Sequence, residues 1–196
     1  MKARGIVGFW AIAGMVALVQ PGVSQAQTPV PAASANARDG SHDFDFVIGK
    51  WKAHLKKLDK PLSGSTTWKE FDGTINAIKV WDGKANFDQF EVDNTSLDLH
   101  IRGLTMRIYN PESHQWSLYW ATSAGAPIGV PTVGEWKDGK GEFYDQEEWH
   151  GRVILVRFEW SGVTATSAHF EQAFSTDGGK TWEVNWISDQ TRVPQP

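Results

Sequence analysis

Two acidic residues occupy alternate positions in a stretch that is otherwise suited to an apolar core. If His150-Gly151 is a two-residue turn, Trp149 pairs with Arg152 across a β-hairpin. One face of this hairpin then carries Asp145 and Glu147 among apolar neighbours: Phe143, Trp149, Ile154, Val156, Phe158 and Trp160. Because an unpaired buried charge is costly, such carboxyl groups are paired, hydrogen-bonded or protonated with a raised pKa.

A carboxyl group with a raised pKa can act as a general acid, and it can equally bind a hydroxyl or amine ligand. If the pair is catalytic, Arg107 or Arg157 would stabilise developing negative charge, so Asp145, Glu147 and Arg157 are the candidate catalytic residues. Two simpler interpretations stay open. The face is only half buried, with both carboxylates solvated at a rim, or a one-residue shift of register sets Asp145 opposite Arg157 as an ordinary ion pair.

Candidate ligand-binding residues combine rings with a few polar groups: Arg107, Tyr109, Tyr119, Trp120, Glu171, Asn185 and Trp186. Tryptophan and tyrosine can stack on sugars or aromatic ligands, although β-proteins also use them for packing. Pairing Phe174 with Trp182 across the last turn sets Glu171 opposite Asn185 on a polar face. That face lies either in water or in the lumen of a barrel.

The sequence offers little for metal or cofactor chemistry. It has no Cys, and its 6 His form neither His-x-His nor His-Glu-x-x-His. A glycine-rich phosphate loop and a Gly-x-Ser-x-Gly nucleophile motif are also missing. We therefore expect neither a metal nor a cofactor.

Short runs rich in Trp, Phe, Val, Ile and Thr follow one another from Lys50, and turn residues separate them. The predicted strands are 50–58, 65–71, 75–81, 86–93, 103–109, 116–123, 132–137, 141–149, 152–160 and 167–175, the last paired with 181–192. The turns include Asp72-Gly73, His150-Gly151 and Asp177-Gly178-Gly179. This pattern predicts an all-β antiparallel barrel of about ten strands, closed or half open.

The segment from Phe44 to Trp51, Phe-Asp-Phe-Val-Ile-Gly-Lys-Trp, resembles the opening of lipocalin-like proteins. Arg192 resembles the arginine that packs on the tryptophan of such barrels. The span 42–193 also resembles a family of small exported bacterial proteins of unknown function that open with Phe-Asp-Phe-x-x-Gly-x-Trp. The matching later motifs are Arg107-Ile108-Tyr109-Asn110-Pro111, Gly141-Glu142-Phe143-Tyr144-Asp145-Gln146-Glu147 and Trp182-Glu183-Val184-Asn185-Trp186. The resemblance implies a lipocalin-like barrel and assigns no catalytic residue.

The beginning of the chain has the character of a secretory signal. Lys2 and Arg4 precede an apolar stretch, and Ser24-Gln25-Ala26 fits a signal-peptidase site. We expect a signal peptide over 1–26, a flexible leader over 27–41 and one barrel domain over 42–196. The predicted location is therefore outside the cytoplasm, periplasmic or extracellular.

Charge and composition restrict the partners. Of the 196 residues, 19 are Lys or Arg and 23 are Asp or Glu, and loss of Lys2 and Arg4 leaves 17 basic residues and a charge of -6. This acidity argues against nucleic acid, and no membrane association is expected after cleavage. The expected partner is a small hydrophobic, aromatic or sugar ligand, and a homodimer stays open.

Three functions fit these features. The first is an exported protein that binds a hydrophobic or aromatic ligand in a barrel cavity. The second is a cofactor-free lyase, isomerase or glycoside-active enzyme that uses a carboxylate acid or base in that cavity. The third is a structural or interaction protein whose barrel is filled with side chains and has no site.

Overall fold

In the computed structural model, residues 38–125 and 128–194 form a single β-barrel, and the structure describes these residues. The barrel has ten strands: β1 (Gly49–Leu58), β2 (Trp68–Val80), β3 (Ala85–Asn94), β4 (Leu99–Asn110), β5 (Gln115–Thr122), β6 (Thr132–Lys137), β7 (Lys140–Trp149), β8 (Arg152–Ser161), β9 (Ser167–Ser175) and β10 (Glu183–Arg192). Short 3-10 helices span Asp45–Val47, Trp81–Gly83 and Thr95–Leu97. The predicted all-β antiparallel barrel is confirmed.

Each strand pairs with the strand before and after it in the chain, and β1 closes the barrel by pairing with β10. The narrowest seam lies between β5 and β6, which pair only through Trp116, Ser117 and Leu118. On the neighbouring strand, β7 pairs with β6 only as far as Tyr144. The wall is therefore incomplete beside the second half of β7.

Asp72-Gly73 was predicted as a turn, and this is wrong: both residues lie in the middle of β2. A Cβ at position 73 would lie 2.9 Å from the backbone oxygen of Glu91 and 3.1 Å from Cδ1 of Leu55. The glycine therefore permits close packing between strands rather than a reversal of the chain.

The β7–β8 hairpin has the predicted register. His150 and Gly151 both have positive φ, 49° and 77°, as a two-residue turn of the primed type requires. Trp149 pairs with Arg152, and Asp145 therefore pairs with Val156. The alternative register, with Asp145 opposite Arg157, does not occur.

The β9–β10 hairpin differs from the expected register. Phe174 pairs with Glu183 instead of Trp182, and a bulge between Val184 and Trp186 shifts the strand by one residue. An extra residue in one strand changes which side chains face inward. Here it turns Asn185, which is 3% exposed, toward the interior.

One end of the barrel is closed by the segment that precedes β1. Phe44 and Val47 are buried there against Trp116, Phe143 and Trp160. Within this plug the ring of Phe44 makes an edge contact with Trp116 at 5.1 Å. The core therefore fills this end, and no residue within 38–125 or 128–194 forms such a plug at the opposite end.

Arg192 fixes this closed end in the way the lipocalin resemblance implies. Its guanidinium carbon lies 4.2 Å from the centre of the Trp51 ring. Its Nη1 donates to the carbonyl of Ile48 at 2.6 Å, and its Nη2 donates to that of Phe46. The last strand is thus tied to the first by stacking and by charge-assisted hydrogen bonds.

Residues that precede the predicted domain start at 42 already contact the domain, since the guanidinium of Arg38 donates to the carboxylate of Asp43. The carbonyl of Gly40 accepts from Nε1 of Trp116 at 2.9 Å. The predicted signal peptide over 1–26 and most of the predicted leader lie outside the described residues and stay predictions. Across 38–125 and 128–194, no helix is long and apolar enough to span a membrane.

Candidate functional site

A cavity of about 700 Å³ occupies the barrel between the closed end and the open one. Apolar side chains of all the strands except β6 form most of its wall. Five tryptophans are among the lining residues: Trp51, Trp120, Trp149, Trp160 and Trp186. A structural barrel filled with side chains would leave no such space. The third hypothesis from the sequence is therefore not supported.

Aromatic rings form the wall around Trp186. Its ring lies 5.8 Å from that of Phe71 and 6.2 Å from that of Phe90, both in edge contacts. Phe90 in turn lies 6.1 Å from Trp120, which is 38% exposed at the open end. These rings offer flat surfaces on which a planar molecule could stack.

The deep part of the cavity contains a buried ion pair. Nη1 of Arg107 donates to Oδ2 of Asp88 at 2.6 Å and to Oδ1 of Asn86 at 3.0 Å, and both charged side chains are 4% exposed. The guanidinium carbon also lies 5.3 Å from the ring centre of Phe44 and 5.7 Å from that of Trp160. Opposite charge and ring faces together compensate the desolvation of Arg107.

Sequence reasoning found Arg107 but missed its partners. Asp88 and Asn86 alternate with Phe90 on β3, and pairing sets Asn86 directly opposite Arg107. The sequence does place Asn86 and Asp88 at alternate positions before Phe90, so that all three side chains point to the same face of β3. This pattern could be used only once the register between β3 and β4 was known.

A second polar group lies on β9 and β10. Nε2 of Gln172 donates to Oδ1 of Asn185 at 2.7 Å, and Nε2 of Gln190 donates to Oγ of Ser188 at 3.2 Å. All four residues line the cavity. Of them, the sequence had indicated only Asn185, which lies inside together with Trp186.

Asp145 and Glu147 lie where the wall is incomplete. Both line a smaller cavity of about 200 Å³ beside β5, and Glu147 lines the large cavity as well. Asp145 is partly buried, with no hydrogen-bond partner for Oδ1 among the described residues, whereas Glu147 is more exposed. The pair therefore lies at the side of the cavity rather than at its floor.

Burial raises the pKa of Asp145 to about 7, and the neighbouring charge of Glu147 adds to this rise. Burial also raises the pKa of Glu147. A proton is therefore retained on Asp145 through much of the pH range in which an ordinary aspartate is ionised. Such a group can donate a hydrogen bond or a proton to a bound molecule.

Two charged candidate residues do not reach the cavity. Arg157 lies on the outer face of β8, 5.0 Å above the ring of Trp182, because it alternates with the inward-facing Val156. Glu171 is also on the outer face, where it contacts Nε2 of His169 at 3.2 Å. These two placements correct the expectation that Arg157 assists Asp145 and that Glu171 accompanies Asn185.

The two candidate tyrosines also lie away from the cavity. Tyr119 alternates with the inward-facing Leu118 and Trp120 and therefore points outward, opposite Met106. Tyr109 points inward but belongs to the closed end, where its hydroxyl accepts from the backbone N–H of Gly40 at 3.1 Å. Its ring packs on Trp116.

The open end carries basic side chains. Lys57 and Lys60 line the mouth of the cavity, as does Lys69, whose Nζ lies 3.2 Å from Asp59. Among the described residues, no group of three or more His, Asp or Glu side chains is arranged to hold a metal ion.

No protein-family model matches this chain, and no curated protein sequence matches it. Among solved structures, the chain is similar to an S-type phycobiliprotein lyase from Guillardia theta. The two share 13% sequence identity with a TM-score of 0.56, over 81% of this chain and 95% of that chain. The likeness supports a lipocalin-like antiparallel barrel, and at this identity it concerns the fold alone.

Proposed function

We propose that this protein binds one small, largely apolar or aromatic molecule inside the barrel. The observation that carries the proposal is the cavity of about 700 Å³, lined by aromatic rings and by a small number of buried polar groups. Ligand pockets of globular proteins typically have about 300–1,000 Å³ and this kind of lining. A ligand that fits both the volume and the aromatic lining of this cavity has two to four fused or linked rings and a few polar atoms.

The similar solved structure is named a phycobiliprotein lyase. That name is compatible with a protein that holds a small molecule and with a protein that acts on one. Because the likeness concerns the fold alone, the proposal depends on the cavity of this chain.

The proposal is tested by filling the cavity from one position on β2. Ile75 pairs with Phe90 on the next strand and lines the cavity, whereas Ile78 on the same strand is 46% exposed on the outer face. Ile75→Trp should abolish quenching of tryptophan fluorescence by the probe 9-fluorenone, and Ile78→Trp should leave it unchanged. Equal quenching of both variants and the wild type would refute binding inside the barrel.

A second candidate function rests on Asp145. A carboxyl group with a pKa of about 7 is suited to general acid–base catalysis near neutral pH, and Glu147 lies next to it on the wall. The corresponding activity is that of a cofactor-free lyase, isomerase or glycoside-active enzyme. Arg157 is not part of it, because that side chain lies on the outer face.

Proton transfer by Asp145 can be measured without a known substrate. The probe 2-tetralone is an aromatic ketone whose protons next to the carbonyl exchange with deuterated water, as mass spectrometry detects. We expect exchange above the buffer rate in the wild type and a return to the buffer rate in Asp145→Asn. An undiminished rate in that variant would exclude Asp145 from the mechanism.

We also propose that the protein acts outside the cytoplasm, on the strength of the apolar segment that precedes Ser24-Gln25-Ala26. A mature N-terminus at Gln27 in the exported fraction, read by mass spectrometry, supports this. An intact N-terminus in the cytoplasm contradicts it.

A further inference from the structure

The guanidinium of Arg107 is only partly used by the protein. Within the described residues, its hydrogen bonds to Asp88 and Asn86 both start from Nη1. Its Nε is buried and has no partner. Nε and Nη2 form the side edge of a guanidinium, with two parallel N–H bonds that suit an oxygen acceptor.

A second buried donor belongs to the side chain over whose ring this guanidinium lies. Nε1 of Trp160 also has no partner among the described residues, and Trp160 is 4% exposed. Its ring centre is 5.7 Å from the guanidinium carbon of Arg107, and both residues line the cavity. Buried donors are normally satisfied, so unpartnered N–H groups on two neighbouring side chains indicate an acceptor that the described residues do not supply.

The charge of the site limits what this acceptor can be. Asp88 already neutralises Arg107 at 2.6 Å, and the other polar residues of the deep wall, Gln172, Asn185 and Ser188, are uncharged. A ligand carboxylate at the same place would leave one negative charge buried without compensation. A neutral oxygen satisfies the donors without this cost.

We infer that the ligand enters with a neutral carbonyl group first and places its oxygen against Arg107 and Trp160, with its ring system between the aromatic walls. This inference rests on the proposed function and adds the ligand class: aromatic ketones, quinones, lactams or amides. Any acidic group on the ligand would lie at the other end, near Lys57 and Lys60 at the mouth.

Three probes that differ only at one ring position test the inference: fluorene, 9-fluorenone and fluorene-9-carboxylate. In the wild type, we expect 9-fluorenone to bind about tenfold more tightly than fluorene, measured by isothermal titration calorimetry. Equal affinity of these two probes would overturn the carbonyl assignment and leave the binding function intact. Failure of all three probes to bind would overturn the proposed function itself.

One variant of each partner tests the role of the ion pair, beginning with Arg107. Arg107→Lys keeps the positive charge beside Asp88 and removes the guanidinium edge, so the preference for 9-fluorenone over fluorene should fall to about onefold. Arg102→Lys, at a half-exposed position on the same strand, is the control and should retain the preference. An unchanged preference in Arg107→Lys would contradict the inference.

Asp88→Asn keeps the shape of the site and leaves Arg107 with an uncompensated positive charge. The affinity for fluorene-9-carboxylate should then rise about tenfold over the wild type. Absence of any rise in a folded Asp88→Asn protein, verified by circular dichroism, would contradict the argument from charge.

Discussion

Replacement of Asp145 by asparagine should make the protein more stable at neutral pH. In the folded state the pKa of Asp145 is raised to about 7 from an ordinary value of 3.8, chiefly by burial. The folded form therefore holds a proton that the unfolded chain releases. Stability contributed by this proton is present at acidic pH and is lost as the pH rises from about 4 to about 7.

The magnitude follows from the size of this difference. At about 1.4 kcal/mol per pKa unit, a fully buried group would lose about 4 kcal/mol. Asp145 is only partly buried, and solvent screening reduces the expected loss to about 1–2 kcal/mol. Asparagine carries no charge, so Asp145→Asn should gain this amount at pH 8 and nothing measurable at pH 4.

Urea unfolding followed by tryptophan fluorescence at pH 4, 6 and 8 measures the effect. The difference between variant and wild type should grow with pH and level off above pH 7. Glu148→Gln is the matched control, since Glu148 is exposed on the same strand and should show no comparable trend. A pH-independent difference, or a less stable Asp145→Asn protein at pH 8, would refute the reasoning.

Three further predictions concern single positions. Glu147→Gln should lower the pKa of Asp145, because the charge of Glu147 helps to raise it; an unchanged carboxyl titration by NMR would contradict the coupling. Arg192→Lys should cost about 1–3 kcal/mol in thermal unfolding, because a lysine cannot replace both carbonyl contacts and the ring stacking; an unaltered Tm would show that these contacts do not stabilise the closed end. Gly103→Ala should displace Trp120, because the new Cβ would overlap the indole ring of that residue, and should shift tryptophan emission; identical spectra would contradict the packing.

The sequence predicted the barrel because strand alternation and turn residues are local signals. The β7–β8 hairpin shows this well, since two residues with positive φ at His150-Gly151 set the register of the whole pair. From that register alone, Asp145 and Glu147 could be assigned to the same face as the apolar residues. That assignment is confirmed by the structure.

Two local signals were misleading for physical reasons. Gly73 allows close approach between strands. In the sequence alone, such a glycine looks the same as a glycine in a turn. The bulge before Trp186 changes the expected register, so Asn185 lies inside without Glu171, and no residue type in this segment announces the bulge. Both errors concern positions where packing across strands overrides the local pattern.

The deep polar site could not be predicted because it depends on pairing between separate hairpins. Arg107 meets Asp88 and Asn86 only when β3 and β4 are aligned. Arg157 and Arg107 looked equivalent as partners for negative charge. Arg157 lies between the inward-facing Val156 and Phe158 and therefore points outward. Arg107 lies two positions after the inward-facing Thr105 and therefore points inward.

A crystal structure of the protein soaked with 9-fluorenone is the most direct test of a ligand-binding barrel. We predict density for the three-ring system inside the cavity, against the wall that Phe90 and Trp186 form, with its oxygen within about 3.2 Å of a nitrogen of Arg107 or Trp160. A cavity that stays empty, or a probe bound only on the outer surface, would contradict the account.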